Sequence, residues 1–449
     1  MSDLDLIVRG GRVVTGSGVT VADVGIADGT IAAVGADLSL SADEVIDARG
    51  LHVFPGGVDS HVHFNDPGRT EWETIATGSA ALAAGGYTTF VDMPLNSRPV
   101  TTSGAAFDAK LQAATANAVV DFGLWGGLVP GNLEHLEELV QRGVMGFKAF
   151  MCSSGIDDFP QSDDRTLRAG MERIAQFDSI LLVHAEDAAT TDRLTREALA
   201  AGKKSARDFI RSRPAAAELE AISRAVSLAG ETRCRLHIVH VSTARGVQLV
   251  DEAKASGVDV SCETCPHYLL YTEEDLERLG GLGKCAPPLR TNKDRDGLWR
   301  FVFDGVLPMV VSDHSPSTLA LKQGPDFFKL WGGISGCQST RQLLLWQARA
   351  RSVGPSTISA ATAGNVARRF GLARKGEVAV GFDADLWLAD LSIDGVLRRE
   401  DLLYRNQFSA HEGAPIHGRT VRTMVRGQTV FMDGRVDRSS RGRFIKPAR

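Results

Sequence analysis

Two histidines one residue apart, His61 and His63, close an apolar run that starts at Val53 and passes through Pro55-Gly56-Gly57. An extended strand projects positions i and i+2 to the same side. The two imidazoles would therefore stand together as half of a metal site. Four more chemistry-bearing residues stand in or just after later apolar runs. They are Lys148 in Gly-Phe-Lys-Ala-Phe, His184 after Leu-Leu-Val, His240 after Ile-Val, and Asp313 after Val-Val-Ser. Taken singly, each has a bland explanation: a histidine satisfied at a strand end, a lysine snorkelling to solvent, an aspartate capping a turn. Taken jointly they point to a metal site. Lys148 is the odd member, because an ammonium beside two divalent cations is repelled and burial also disfavours its charge. It must be neutral, outside the site, or chemically altered. A neutral amine that takes up carbon dioxide becomes a carbamate, an anionic carboxylate on a long stem that could bridge two metals.

The elements that must position these residues are legible as alternating apolar runs and helical patterns. Strands are expected at Val53 to Phe64, Thr88 to Leu95, Val119 to Leu128, Gly146 to Met151, Ile180 to His184, Arg235 to His240, Val258 to Glu263 and Met309 to Asp313. Helical patterns fill the gaps: Glu71 to Ala84, Ala105 to Ala116, Leu133 to Gln141, Thr166 to Gln176, Ala215 to Leu228, Thr243 to Ala255 and Asp294 to Phe303. Two more, Ser339 to Ala350 and Ser356 to Phe370, follow the last strand. Eight strands alternating with helices most simply close into an α/β (β/α)8 TIM-like barrel, in which function gathers at the C-terminal strand ends. A doubly wound open sheet is the alternative, but no Gly-x-Gly-x-x-Gly follows the first strand.

The barrel is expected over residues 55–374. The flanks, 1–54 and 375–449, are rich in short strands punctuated by Gly-Gly and Asp-Gly turns, with hairpins at 376–388 and 420–432. They are expected to meet in one small β-sandwich. The strand-six parity sends His237 towards the helix layer, and His52, His135, His411 and His417 are expected at the surface.

The chain has 449 residues, 50 basic and 55 acidic, for a formal net charge of -5. No basic stripe suggests a nucleic acid partner, and no amphipathic or long apolar segment suggests a membrane. The acidic start lacks a signal peptide's pattern, and the six scattered cysteines, including the Cys262-x-x-Cys265 pair, read as buried packing rather than disulfides or a separate zinc site. A cytoplasmic protein is expected.

Several longer motifs carry a resemblance. His61-Val-His-Phe-Asn-Asp-Pro-Gly-Arg-Thr-Glu-Trp-Glu73, Asp92-Met-Pro-Leu-Asn-Ser97, Val183-His-Ala-Glu186, Cys262-Glu-Thr-Cys-Pro-His-Tyr268, Cys285-Ala-Pro-Pro-Leu-Arg290 and Ser312-Asp-His-Ser-Pro316, with the lysine motif, resemble the cyclic amidohydrolases of the amidohydrolase superfamily over the whole chain. The resemblance implies two divalent metals, usually zinc with cobalt, manganese or iron as alternatives, a carboxylated Lys148, and a homotetramer. It assigns His61, His63, Lys148 and Asp313 to one metal and Lys148, His184 and His240 to the other. Metals about 3.5–4 Å apart share a bridging hydroxide, and Asp313 is expected to act as its general base and then as acid to the leaving nitrogen.

The expected substrate is allantoin, a neutral ureido-hydantoin opened to allantoate in purine degradation. Dihydroorotases typically carry an arginine for the substrate carboxylate where this chain has Asn65, and that bidentate charge partner is missing. Hydantoinases and dihydropyrimidinases share every ligand but usually lack the Pro67 to Glu73 run. Asn65, Asn96, His314 and Ser315 are expected to contact substrate, with turn-forming and capping roles as the alternative. A non-catalytic assembly protein of this fold would be expected to have lost ligands, and all six are present. The stretch Phe408 to Gly418 departs from the family's shorter, more basic segment, which bears on assembly contacts.

Overall fold

The computed structural model of the chain describes residues 3–439 and 441–448. Both ends of the chain build one nine-stranded sheet. Leu4–Thr15, Gly18–Ala27, Thr30–Gly35, Ala42–Asp47 and His52–Pro55 come from the N-terminal side, and Leu386–Val396, Pro415–Val425, Gln428–Met432 and Arg435–Val436 from the C-terminal side. The two ends are joined where His52–Pro55 pairs antiparallel with Leu386 to Ala389 and, through its other edge, parallel with Arg12 and Val13. Three tight hairpins turn on residue pairs with two positive φ angles, Asp28-Gly29, Arg426-Gly427 and Asp433-Gly434, the type I′ geometry that suits the strand twist. Leu6, Val8, Val13, Val24, Ile26, Ile31, Val53, Leu386, Leu388 and Met424 form the apolar cluster of this domain. The stretch 376–385, expected to open a hairpin, is irregular, with one isolated antiparallel bridge from Asp383 to Thr30; strand begins only at Leu386.

The remaining strands form a (β/α)8 barrel. They are Gly57–Val62, Tyr87–Asp92, Asp121–Leu124 continuing after Trp125 as Gly126–Gly127, Phe147–Phe150, Ile180–His184, Arg235–Ile238, Val260–Thr264 and Met309–Val310. Every neighbouring pair is parallel. The ring closes where Val62 bridges His314, with the His63 amide donating to the His314 carbonyl at 2.8 Å. Most of these strands are buried along their whole length, as parallel strands covered by helices must be. Side-chain caps start the surrounding helices, for instance Thr74 at Ile75–Ala84, Ser103 at Gly104–Asn117 and Thr243 at Ala244–Ala255.

The expected first strand, Val53 to Phe64, is two strands in two sheets. The chain crosses between them at Gly56-Gly57, where a Cβ on Gly56 would lie 2.1 Å from the Thr88 hydroxyl and one on Gly57 2.5 Å from the Tyr87 ring. At the far end of the third barrel strand, buried Lys375 binds Asp121 (2.7 Å), Asp383 (2.9 Å) and Asp385 (2.8 Å), tying the terminal segment to the barrel. Residues near the C-terminal end return to the same strand: the Phe122 amide donates to the Arg443 carbonyl at 3.0 Å, and the Phe122 carbonyl accepts from the Ile445 amide at 2.8 Å. Two helices escaped the sequence pattern between strands five and six, Ala188–Ala200 and Ala206–Ser212, and two more follow strand seven, Pro266–Leu270 and Glu273–Leu279.

Candidate metal centre

The C-terminal strand ends bring the six expected residues together. His61 and His63 end the first strand with ring centroids 5.5 Å apart, and their Nε2 atoms lie 3.2 and 3.5 Å from Asp313 Oδ1. Lys148 sits inside the fourth strand, wholly buried. His184 ends the fifth, and its Nδ1 lies 3.1 Å from His240 Nε2. His240 and Asp313 follow their strands in left-handed backbone conformations, φ 40° and 44°, which turn their side chains inward after the regular pairing has ended.

The outward nitrogens of three rings are held. His61 Nδ1 meets Glu263 Oε1 at 2.6 Å, His63 Nδ1 the Leu95 carbonyl at 2.8 Å, and His184 Nε2 the Glu186 carboxylate at 2.8 Å. Such backing fixes the tautomer and leaves the inward nitrogen as a lone-pair donor, the arrangement around metal-ligating histidines. Burial pushes the conjugate acids of His61, His184 and His240 down, so the neutral rings are favoured. Among the described residues the Lys148 Nζ has no hydrogen-bond partner, and burial lowers its pKa to about 8. Inward-facing nitrogen lone pairs, a carboxylate and an orphaned buried amine form a donor set that suits borderline divalent cations.

Glu263, Glu186 and Arg213 are residues to which the sequence pattern assigns no role. Burial pushes Glu263 up to about 8; besides His61 it holds His237 Nε2 at 3.0 Å, and His237 Nδ1 meets the Ser261 hydroxyl at 2.7 Å. His237 therefore faces Glu263 and not the helix layer. Parity counted from His240 misleads because the strand stops at Ile238. Burial would raise Glu186 as well, but the Arg213 guanidinium at 2.7 Å and the His184 bond outweigh it and hold Glu186 at about 2. The available signal was an acidic residue two positions after His184, and another closing an apolar strand at 263.

A cleft of about 540 Å³ opens over the centre. His61, His63, His184, His240 and Asp313 line it, as do Asn96 and Ser315. Asn65 and His314 do not. Asn65 is buried beneath the rim, its carbonyl accepting from the Arg69 amide at 2.9 Å. Both ring nitrogens of His314 are engaged elsewhere, with Glu73 Oε2 at 3.3 Å and the Gly336 amide at 3.1 Å, and its ring packs on Tyr404. Of the four histidines expected at the surface, His52 and His135 are half-buried, and His411 and His417 are buried. His411 stacks on Tyr271, so the 408–418 stretch packs on the barrel of its own chain. All six cysteines are free and buried, as expected. Among the described residues no helix is long and apolar enough to cross a membrane.

Residues 52–430 match the model of the amidohydrolase family. A curated protein of Rubrobacter xylanophilus named allantoinase is 55% identical over 450 residues, covering 100% of this chain and 99% of the relative. One of Solibacter usitatus with the same name is 50% identical, covering 99% and 97%. Among solved structures, L-hydantoinase (dihydropyrimidinase) from Arthrobacter aurescens superposes with a TM-score of 0.94 at 35% identity, covering 96% of this chain and 97% of that one. Dihydropyrimidinase from Brevibacillus agri gives 0.92 at 32% identity, covering 100% and 99%.

Proposed function

This chain belongs to the amidohydrolase family, and we propose that it opens the hydantoin ring of allantoin by hydrolysis to give allantoate, a step of purine-derived nitrogen recovery. The observation that carries the reading is the convergence of His61, His63, Lys148, His184, His240 and Asp313 on one barrel rim beneath a cleft. The substrate is taken from the full-length relatives named allantoinase. The family and the His/Asp cluster support divalent metal use. We further propose two zinc ions, one on His61, His63, Lys148 and Asp313 and one on Lys148, His184 and His240. Lys148 Nζ would add carbon dioxide and lose a proton to become the carbamate shared by both; its orphaned, burial-lowered amine supports this. When bound, the metals supply Lewis acidity towards a water and a ring carbonyl.

The chain's own residues do the rest. Asp313, whose side chain is 13% exposed into the cleft, takes the water's proton and returns it to the ring nitrogen as the C–N bond breaks. Glu263, Leu95 and Glu186 hold three imidazoles in the productive orientation. Phe150, stacked on His184 with centroids 4.6 Å apart, closes one wall against water. Asn96 and Ser315 line the cleft and would hydrogen-bond the ring amides. A cytoplasmic homotetramer completes the proposal, on the family resemblance.

The structural neighbours keep a hydantoinase or dihydropyrimidinase in view as the second reading. Turnover of allantoin, hydantoin, dihydrouracil and dihydroorotate by the metal-loaded protein separates the two. Allantoin is expected to be the fastest; rapid dihydrouracil hydrolysis beside no allantoin hydrolysis would overturn the assignment.

A further inference from the structure

His267 follows the seventh strand in the short helix Pro266–Leu270 and is fully buried, yet among the described residues neither of its ring nitrogens has a hydrogen-bond partner. Packing does not explain that, since a hydrocarbon of similar shape would fill the space without stranding two polar atoms. The helix is pinned on both sides, Tyr268 donating to the Pro287 carbonyl at 2.6 Å and Trp299 to the Leu269 carbonyl at 2.7 Å, so the ring cannot swing out to water. A ring nitrogen of His267 lies within 4.8 Å of an Asp313 carboxylate oxygen. His61, His63 and His184 each have a backing partner; Asp313 meets only His61 and His63 and has no backing donor among the described residues. The stranded donor and the unbacked carboxylate are neighbours.

From this juxtaposition we propose that His267 is the positioning residue of Asp313, its ring N–H donating to the carboxylate in the working enzyme and holding it between the histidines and the substrate. The inference rests on the reading of Asp313 as the proton carrier. A neutral ring suits this role. The ring is wholly buried, and a neutral imidazole orients the carboxylate without adding a positive charge that would weaken it as a base. His267 moves no proton itself; it acts through Asp313.

The test uses the full-length metal-loaded protein and the substrate that the parent hydrolyses fastest, so an error in the substrate assignment does not enter. His267→Leu is expected to lower kcat about 10- to 100-fold with KM within about twofold and the metal content per chain unchanged by elemental analysis. Asn and Gln place an amide near the Nδ1 and Nε2 positions respectively, so one of His267→Asn and His267→Gln is expected to recover at least about fivefold over the other. That pair carries the test even if His267→Leu does not fold. A leucine variant with parental kcat, equal activity in the two amide variants, or loss of bound metal in all three would overturn the proposal.

Discussion

Arg213→Met removes the guanidinium that neutralises Glu186 and keeps a long apolar side chain in its place. Glu186 is wholly buried, and Arg213 reaches it with Nε at 3.1 and 3.2 Å and one terminal nitrogen at 2.7 Å, its own side chain only 15% exposed. The carboxyl is held at about 2 against an ordinary 4.5, which favours the charged form by about 3 kcal/mol at neutral pH. Without the guanidinium, burial is left opposed by His184 alone, so the expected destabilisation is about 3–5 kcal/mol, the cost of stranding one partner of a buried pair. The sign with pH follows from the depression. Glu186 contributes stability that is fully present above about 4.5 and is lost as pH falls towards 2. The gap between parent and variant should therefore be widest near neutral pH and narrow below about 4.5. Urea unfolding followed by tryptophan fluorescence at several pH values reads it, with Arg193→Met as a control, since the Arg193–Glu197 pair is more than half exposed on both sides and should matter little. An Arg213→Met protein as stable as the parent at pH 7 would refute this account of Glu186.

Glu263→Gln replaces the buried carboxyl that holds His61 and His237 and should weaken metal binding about 10- to 100-fold, read by competition with a chelator; unchanged affinity would show that the orientation of His61 does not depend on it. The Lys148 amine, lowered to about 8, is neutral in roughly one molecule in ten at pH 7, against about one in 3,000 for an ordinary lysine. Reconstitution of metal-stripped protein should therefore require carbon dioxide and, at fixed dissolved carbon dioxide, speed up as pH rises from 7 to 9. Reconstitution at equal rate in carbon dioxide-free buffer would count against the carbamate.

The strands of the barrel were legible because parallel strands sheathed by helices are continuous apolar runs, and glycines bound them. Ile180 to His184 was placed to the residue. The metal-site candidates were legible for the same reason: polar residues at the ends of such runs conflict with burial unless they act together. The break at Gly56 was not, because Val53 to Val62 is one apolar run and only the close approach of Thr88 and Tyr87 separates its two sheets. Helices Ala188–Ala200 and Ala206–Ser212 bury few apolar side chains, so no run of core residues marked them in the sequence. Glu263, Arg213 and His267 depend on partners far off in the chain, as Glu263 does on His61, 202 residues away. No local pattern encodes such a partner. His314 lay two residues from Ser312 and beside Asp313, and nothing in the sequence shows that Glu73 and Gly336 draw its ring away from the cleft.

The central claim is that Lys148 joins two metals within one histidine-lined centre. Elemental analysis of the parent and of Lys148→Ala, both purified without chelator and both shown to be folded, tests it directly. The account predicts two divalent metals per chain in the parent, and loss of the metal pair together with ring-opening activity in Lys148→Ala. A Lys148→Ala protein that keeps two metals and hydrolyses its substrate at the parental rate would contradict it.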